Sequence, residues 1–202
     1  MKKYPSYYVT CMKFSDFSPL DKSIADVPVQ LNLKLAKEIA ESILSRIYHR
    51  YELGGAGEAF WHTTQNMASD TWDIVKYKLA KKAVAGNQEF FMLFTGSSVT
   101  AGHDHYYNQS YPLIVQKRMT SLMSALGIQL VVRNIAQGAN PCNPYHLCYE
   151  AMGGPNPDWV GWEQSYNCGH DEGSFEMAAR WAGWSKNRGI AVSYDLNQMK
   201  LI

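Results

Sequence analysis

The chain has 202 residues, of which 46% are hydrophobic and 18% charged, and its formal net charge is +1. This composition is typical of a globular domain with a real core and excludes a disordered chain. The small net charge, without a basic run, gives no indication of nucleic-acid binding, and no apolar segment is long enough to span a bilayer. The N-terminus lacks the apolar run of a signal peptide, so localisation stays open, including a secretory route for a longer form.

The N-terminal part is predicted to be helical and irregular. Gln30–Tyr51 carries apolar residues at nearly helical spacing, and a second helix is predicted to begin where Ser69 or Asp70 can cap it. Each helix has an apolar stripe that needs a partner to cover it. We therefore expect residues 1–88 to form a helical extension packed on a main domain of residues 89–202.

Strand and helix patterns alternate through the main domain. Strands are predicted at Glu89–Thr95, Ile128–Arg133, Asp158–Glu163 and Ile190–Tyr194. Helices are predicted between them, from about Ser110 to Leu126, around Pro144–Met152 and from about Ser174 to Lys186. Such alternation predicts an α/β fold in which a parallel, flavodoxin-like sheet has helices on both faces, giving three layers. Ligands of these sheets bind beyond the carboxyl ends of the strands.

The most informative segment is Phe90–Gly102, FFMLFTGSSVTAG. Its short apolar run ends in Gly96, Ser97 and Ser98, which places a serine at the carboxyl end of a buried strand. The segment resembles the first signature block of the SGNH (GDSL-type) hydrolases, G-D-S-x-T-x-G. The resemblance implies that Ser98 is the nucleophile of a serine esterase and that Ser97 stands where the family has aspartate.

Two later segments resemble the next two blocks of that family. Gly138 follows the second predicted strand, and the resemblance implies that its backbone N–H donates to an oxyanion, which glycine suits because it allows close approach. The third strand leads to Ser165, Asn167 and Cys168, in the places of glycine, asparagine and aspartate of the G-x-N-D block. The implied role of Asn167 is a further oxyanion donor, since an amide donates without carrying charge. Either residue alone would be an ordinary end of a strand. We expect Ser98, Gly138 and Asn167 to converge at one sheet edge.

The fourth block of the family, D-x-x-H, is missing. It supplies the histidine that takes the proton of the serine and the aspartate that orients that histidine. None of the six histidines has an aspartate three residues before it, and none follows Tyr194. His170, three residues past Asn167 and next to Asp171, is the remaining candidate base. We interpret the chain as truncated before its last block.

Metal and cofactor chemistry has little support in the sequence, and we predict neither a cofactor nor a metal. His103 and His105 could both face one ion, but one pair is not a site. The cysteines lack zinc spacing, and one disulfide among Cys142, Cys148 and Cys168 is expected if the protein is secreted.

Two functions of different classes remain. The first is an SGNH-type ester or acyl hydrolase acting on a small-molecule or carbohydrate ester. The second is a catalytically dead domain that binds a carbohydrate or acylated ligand in the remains of the cleft. A nucleotide binder of flavodoxin-like fold is disfavoured, because no phosphate-cradling glycine pattern is present. The sequence names neither the ester nor the oligomeric state.

Overall fold

The structure is a computed structural model that describes residues 31–53, 69–140, 146–164, 179–183 and 189–193. The helices are α1 (Leu33–Leu53), α2 (Ser69–Ala85), α3 (Ser98–Ala101), α4 (Tyr111–Ala125) and α5 (Tyr149–Gly153), with short 3₁₀ turns at Tyr107–Gln109 and His146–Cys148. The strands are β1 (Gln88–Gly96), β2 (Ile128–Asn134), β3 (Trp159–Glu163) and β4 (Ile190–Ser193). Within the described ranges, no helix combines the length and the apolar character that crossing a membrane requires.

The strands form one parallel sheet in the order β2-β1-β3-β4. This is the flavodoxin-like order, in which the first strand lies inside the sheet. In the register, Phe94 pairs with Asn134 on one side, and Gly96 pairs with Glu163 on the other. The carboxyl ends of β1, β2 and β3 therefore meet at one edge, and the predicted parallel α/β fold is confirmed.

Helices cover both faces of the sheet because alternate residues of β1 point to opposite sides. Phe90 and Phe94 belong to a core layer beneath α2 and α4, while Phe91 and Leu93 belong to a layer beneath α5. The first layer also contains Met123, Ile128, Leu130 and Val132, with Leu79 and Ala83 packed against it. The second layer also contains Ile135, Cys148, Tyr149, Met152 and Trp162. The three layers predicted from the sequence are therefore present.

The described N-terminal helices pack on this framework through fewer apolar residues than predicted. The chain before α1 bonds to the end of α4, where the Asn32 N–H donates to the Ala125 carbonyl at 2.6 Å. Ala36 is buried on α1, whereas six apolar residues of the predicted stripes are exposed: Leu33, Leu35, Leu44, Trp72, Ile74 and Val84. Helical spacing identified the helices, but the docking of α1 through a small residue decides which side chains are covered.

Asp158 ties α2 to the amino end of β3. Its carboxylate is buried, accepts from the Phe91 N–H at 2.9 Å and lies 3.0 Å from Lys82 Nζ. Lys78 Nζ donates to the Asp158 carbonyl at 3.1 Å. Burial lowers the pKa of Lys78, although the Asp158 charge acts in the opposite direction. This polar anchor lies at the opposite end of β3 from the edge where the serine stands.

Candidate active site

The turn that carries Ser98 is sharp and tightly packed. β1 ends at Gly96, where an added Cβ would collide with Thr100 Oγ1 and lie 2.9 Å from the Glu163 carbonyl oxygen. Ser97 caps α3, its Oγ accepting from the Val99 N–H at 3.2 Å, and α3 ends at Gly102 in the left-handed region. Ser97 is fully buried, whereas Ser98 is half-buried. The turn therefore leaves the Ser98 side chain in part accessible.

The loop after β2 brings Gly138 against this turn. The Ile135 N–H donates to the Phe94 carbonyl at 2.9 Å, and the Gln137 N–H donates to the Gly96 carbonyl at 3.1 Å, so the loop continues alongside β1. A Cβ on Gly138 would lie 3.1 Å from Ser98 Cβ and 3.4 Å from Ser98 Cα. The backbone of this loop thus reaches Ser98 at a distance that only glycine permits without a shift.

A buried carboxylate lies behind the serine turn. Glu163, the last residue of β3, is 1% exposed. Its Oε2 accepts from Ser97 Oγ at 2.7 Å and from Thr100 Oγ1 at 2.9 Å, and lies 3.2 Å from the Ser97 nitrogen. The sequence did not assign chemistry to Glu163. The available signal was a charged residue at the end of an otherwise apolar strand.

Asn134 joins the remaining parts of the edge. Its side-chain nitrogen donates to the Thr100 carbonyl at 2.7 Å and to Ser110 Oγ at 3.2 Å. Its side-chain oxygen accepts from the Ala136 N–H at 3.1 Å. One buried amide therefore holds α3, the start of α4 and the loop that leads to Gly138. A buried polar group with these partners makes the relative positions of the three segments specific.

The other sequence candidates divide into exposed residues and residues that the structure does not describe. Asn167 and His170 lie outside the described residues, as do Cys142 and Cys168. His103 and His105 are exposed, and His103 Nδ1 lies 3.0 Å from an oxygen of the equally exposed Asp104. No group of metal-binding side chains occurs within the described ranges. Cys148 is disulfide-bonded, to a partner outside those ranges.

No family model matches the chain, and no curated protein is detectably similar to it. Among solved structures, it is similar to a two-domain esterase (CEX) active on acetylated mannans, with 20% identity over 59% of this chain and 33% of that one, at a TM-score of 0.47. The crystal of the same esterase with mannopentaose gives 16% identity, 63% and 35% coverage and a TM-score of 0.49. TesA gives 16% identity, 51% and 58% coverage and a TM-score of 0.36.

The chain spans about a third of the length of the mannan esterase that it matches. Its own sheet order, with a serine turn directly after β1, is that of the parallel, flavodoxin-like α/β fold expected from the sequence.

Proposed function

We propose that the chain is a serine ester hydrolase of SGNH type with Ser98 as the nucleophile. The observation that carries this proposal is the contact between Gly138 and Ser98 at the carboxyl edge of the sheet. A half-buried serine on a sharp turn, with a second backbone segment at van der Waals distance, suits attack on a carbonyl whose oxygen is held by main-chain donors.

In the proposed reaction, Ser98 Oγ attacks the ester carbonyl carbon, and the π electrons move to the carbonyl oxygen. The N–H groups of Ser98 and Gly138 donate to that oxyanion, and the Asn167 amide is the proposed third donor. Collapse of the intermediate breaks the ester C–O bond, and the alcohol leaves with the proton that Ser98 gave up. Water then attacks the carbonyl carbon of the acyl-enzyme, the bond from that carbon to Ser98 Oγ breaks, and the carboxylic acid leaves while a proton from the water returns to Oγ.

The proton of Ser98 needs a base, and we propose His170 for that role. An imidazole suits it because its ordinary pKa lies near neutrality. Without an effective base, main-chain donors and substrate binding support only about 10³–10⁴-fold acceleration over water, as in serine proteases that lack their triad. Activity therefore measures whether a base is in place.

A second candidate function is a non-catalytic domain that binds a carbohydrate or acylated ligand in the same cleft. It is supported by one sequence observation, the absence of an aspartate three residues before any histidine. Both candidate functions use the same sheet edge, and they differ in whether Ser98 attacks an ester and the chain hydrolyses it.

The test combines hydrolysis of p-nitrophenyl acetate with labelling by a fluorophosphonate, mapped by mass spectrometry. We expect the label on Ser98, its loss in Ser98→Ala, and unchanged labelling in Ser121→Ala, a matched control at an exposed serine of α4. Turnover lost in both Ser98→Ala and His170→Ala supports the full mechanism. Weak turnover indifferent to both changes, with no label on Ser98, supports the binding domain instead.

A further inference from the structure

We propose that Glu163 is a positioning residue for the nucleophile, and that its buried carboxylate sets the direction of Ser98 through the hydroxyls of Ser97 and Thr100. The inference rests on the proposed ester hydrolase function and extends it by naming the group that orients the reacting serine. Glu163 is not proposed to touch the substrate, because its carboxylate lies behind the turn and is 1% exposed.

The Glu163 carboxylate binds residues on both sides of Ser98. Its Oε2 accepts from Ser97 Oγ, on the residue before the serine, at 2.7 Å and from Thr100 Oγ1, two residues after it, at 2.9 Å. Both donors are fully buried. Two hydroxyls that converge on a single oxygen fix both ends of the short segment between them, and Ser98 lies in that segment.

The Glu163 carboxylate also sets the direction of the hydrogen bonds at the turn. A serine hydroxyl has one proton, and that of Ser97 goes to Glu163, which leaves its lone pairs to accept from the Val99 N–H at 3.2 Å. The hydrogen bonds therefore run from the Val99 N–H to the Ser97 hydroxyl and from that hydroxyl to Glu163. Their direction is fixed because a carboxylate can only accept. The main chain of Glu163 adds to this, since its carbonyl accepts from the Ser97 N–H at 2.7 Å.

The same reasoning extends the network to α4. The hydroxyls of Thr100 and Tyr111 lie 2.9 Å apart, and either could donate to the other. Because the single proton of Thr100 goes to Glu163, Tyr111 is the donor of this pair. One carboxylate thus orders the hydroxyls on α3 and at the start of α4.

The carboxylate beside the nucleophile comes from β3 and not from the residue before the serine. The block that the serine turn resembles has aspartate directly before the nucleophile, where this chain has Ser97. Here β3 supplies the carboxylate, since Gly96 and Glu163 are register partners. Two carboxylates in contact at this buried place would repel each other, so a charge at either position excludes a charge at the other. With serine at position 97 and glutamate at position 163, one carboxylate lies beside the nucleophile turn, and β3 supplies it.

The experiment measures the rate constant for fluorophosphonate labelling of Ser98 in Glu163→Gln and in the unaltered chain. Each rate constant is corrected for the folded fraction, which urea unfolding gives. We expect labelling to slow by about 10- to 100-fold in folded Glu163→Gln, because small displacements of a nucleophile carry such costs. The matched control is Asp158→Asn, which neutralises an equally buried carboxylate at the other end of β3. Asp158→Asn should lower stability and leave the corrected labelling rate within about twofold of that of the unaltered chain.

Rescue separates positioning from simple packing. Ser97→Asp alone should be destabilised, whereas Ser97→Asp combined with Glu163→Gln should regain at least about tenfold of the lost labelling rate, since one charge is again present. Thr100→Val should slow labelling and Thr100→Ser should preserve it, which gives a second route if Glu163→Gln folds poorly. The inference would be overturned if Glu163→Gln had the same corrected labelling rate as the unaltered chain. It would also be overturned if the double variant were labelled more slowly than either single variant.

Absence of any label on Ser98 in the unaltered chain would count against the proposed function and not against the positioning role. In that case amide hydrogen exchange at Val99 decides, because its N–H donates to Ser97 Oγ. Loss of protection in Glu163→Gln and its return in the double variant would support positioning. Unchanged protection of Val99 in Glu163→Gln would overturn it.

Discussion

Gly138→Ala tests the geometry on which the proposed function depends. The added Cβ would lie 3.1 Å from Ser98 Cβ, whereas apolar carbons rest at about 3.5–4.0 Å, so the loop or the serine must move by about 0.4–0.9 Å. Displacement by about 1 Å at a reacting centre can cost about 100-fold in rate. We therefore expect kcat/KM for p-nitrophenyl acetate to fall by about 10- to 100-fold, which corresponds to about 1.4–2.7 kcal/mol of transition-state stabilisation.

The control for this change is Gly183→Ala, which adds the same methyl group where no atom of the described residues lies within 4 Å. Its kcat/KM should equal that of the unaltered chain, and urea unfolding of both variants corrects for any loss of folded protein. An unchanged kcat/KM in Gly138→Ala would refute the reasoning, because the Gly138 loop would then not border the reacting atoms. A loss matched by the unfolded fraction would attribute the contact to stability alone.

Four further predictions concern the framework. Leu93→Ala, at a fully buried position, should lower the free energy of unfolding by about 2–5 kcal/mol in urea, and a smaller loss would contradict the assigned core. Lys82→Met removes the 3.0 Å partner of buried Asp158 and should cost about 1–3 kcal/mol, less than an enclosed pair because the lysine is partly exposed; an unchanged urea midpoint would argue against the anchor. Because the pKa of Lys78 is lowered in the folded state, the unfolded state binds its proton more readily, so this group makes stability rise with pH between the lowered value and 10.5. The free energy of unfolding should therefore rise more steeply with pH in the unaltered chain than in Lys78→Met, and equal pH dependence of the two urea midpoints would refute this. We propose that the N-terminal extension is part of the folding unit, so a chain beginning at Asn87 should lose cooperative thermal unfolding, and a cooperative transition with a normal midpoint would separate the two parts.

The strands could be predicted from the sequence with small errors at their ends. β1 was expected at Glu89–Thr95 and occupies Gln88–Gly96, and β3 was expected at Asp158–Glu163 and occupies Trp159–Glu163. Short apolar runs bounded by glycine and proline specify buried parallel strands strongly. The end residues depend instead on pairing with the neighbouring strand, which a single sequence does not display.

The helices were predicted less completely, because their details depend on tertiary contacts. The segment Pro144–Met152 was expected to be one short helix, but its described part consists of the 3₁₀ turn His146–Cys148 followed by α5. The apolar stripes of α1 and α2 predicted that these segments are helical, but they did not predict which of their side chains are buried. Helical spacing shows which side chains can share a face, and the shape of the partner surface decides how much of that face is buried.

The site shows the same division between local and long-range information. The meeting of Ser98 and Gly138 at one sheet edge could be predicted, because each follows a predicted strand and resembles a block of the SGNH hydrolases. Glu163 could not, because its hydroxyl partners lie 66 and 63 residues away in the chain and meet it only through the pairing of β1 with β3. Ser97 departs from the motif that the serine turn resembles, and the sheet register places the Glu163 carboxylate within hydrogen-bonding distance of it. A departure from a motif at one position is therefore best examined at the strand neighbours of that position, since a parallel sheet places residues distant in sequence within hydrogen-bonding reach.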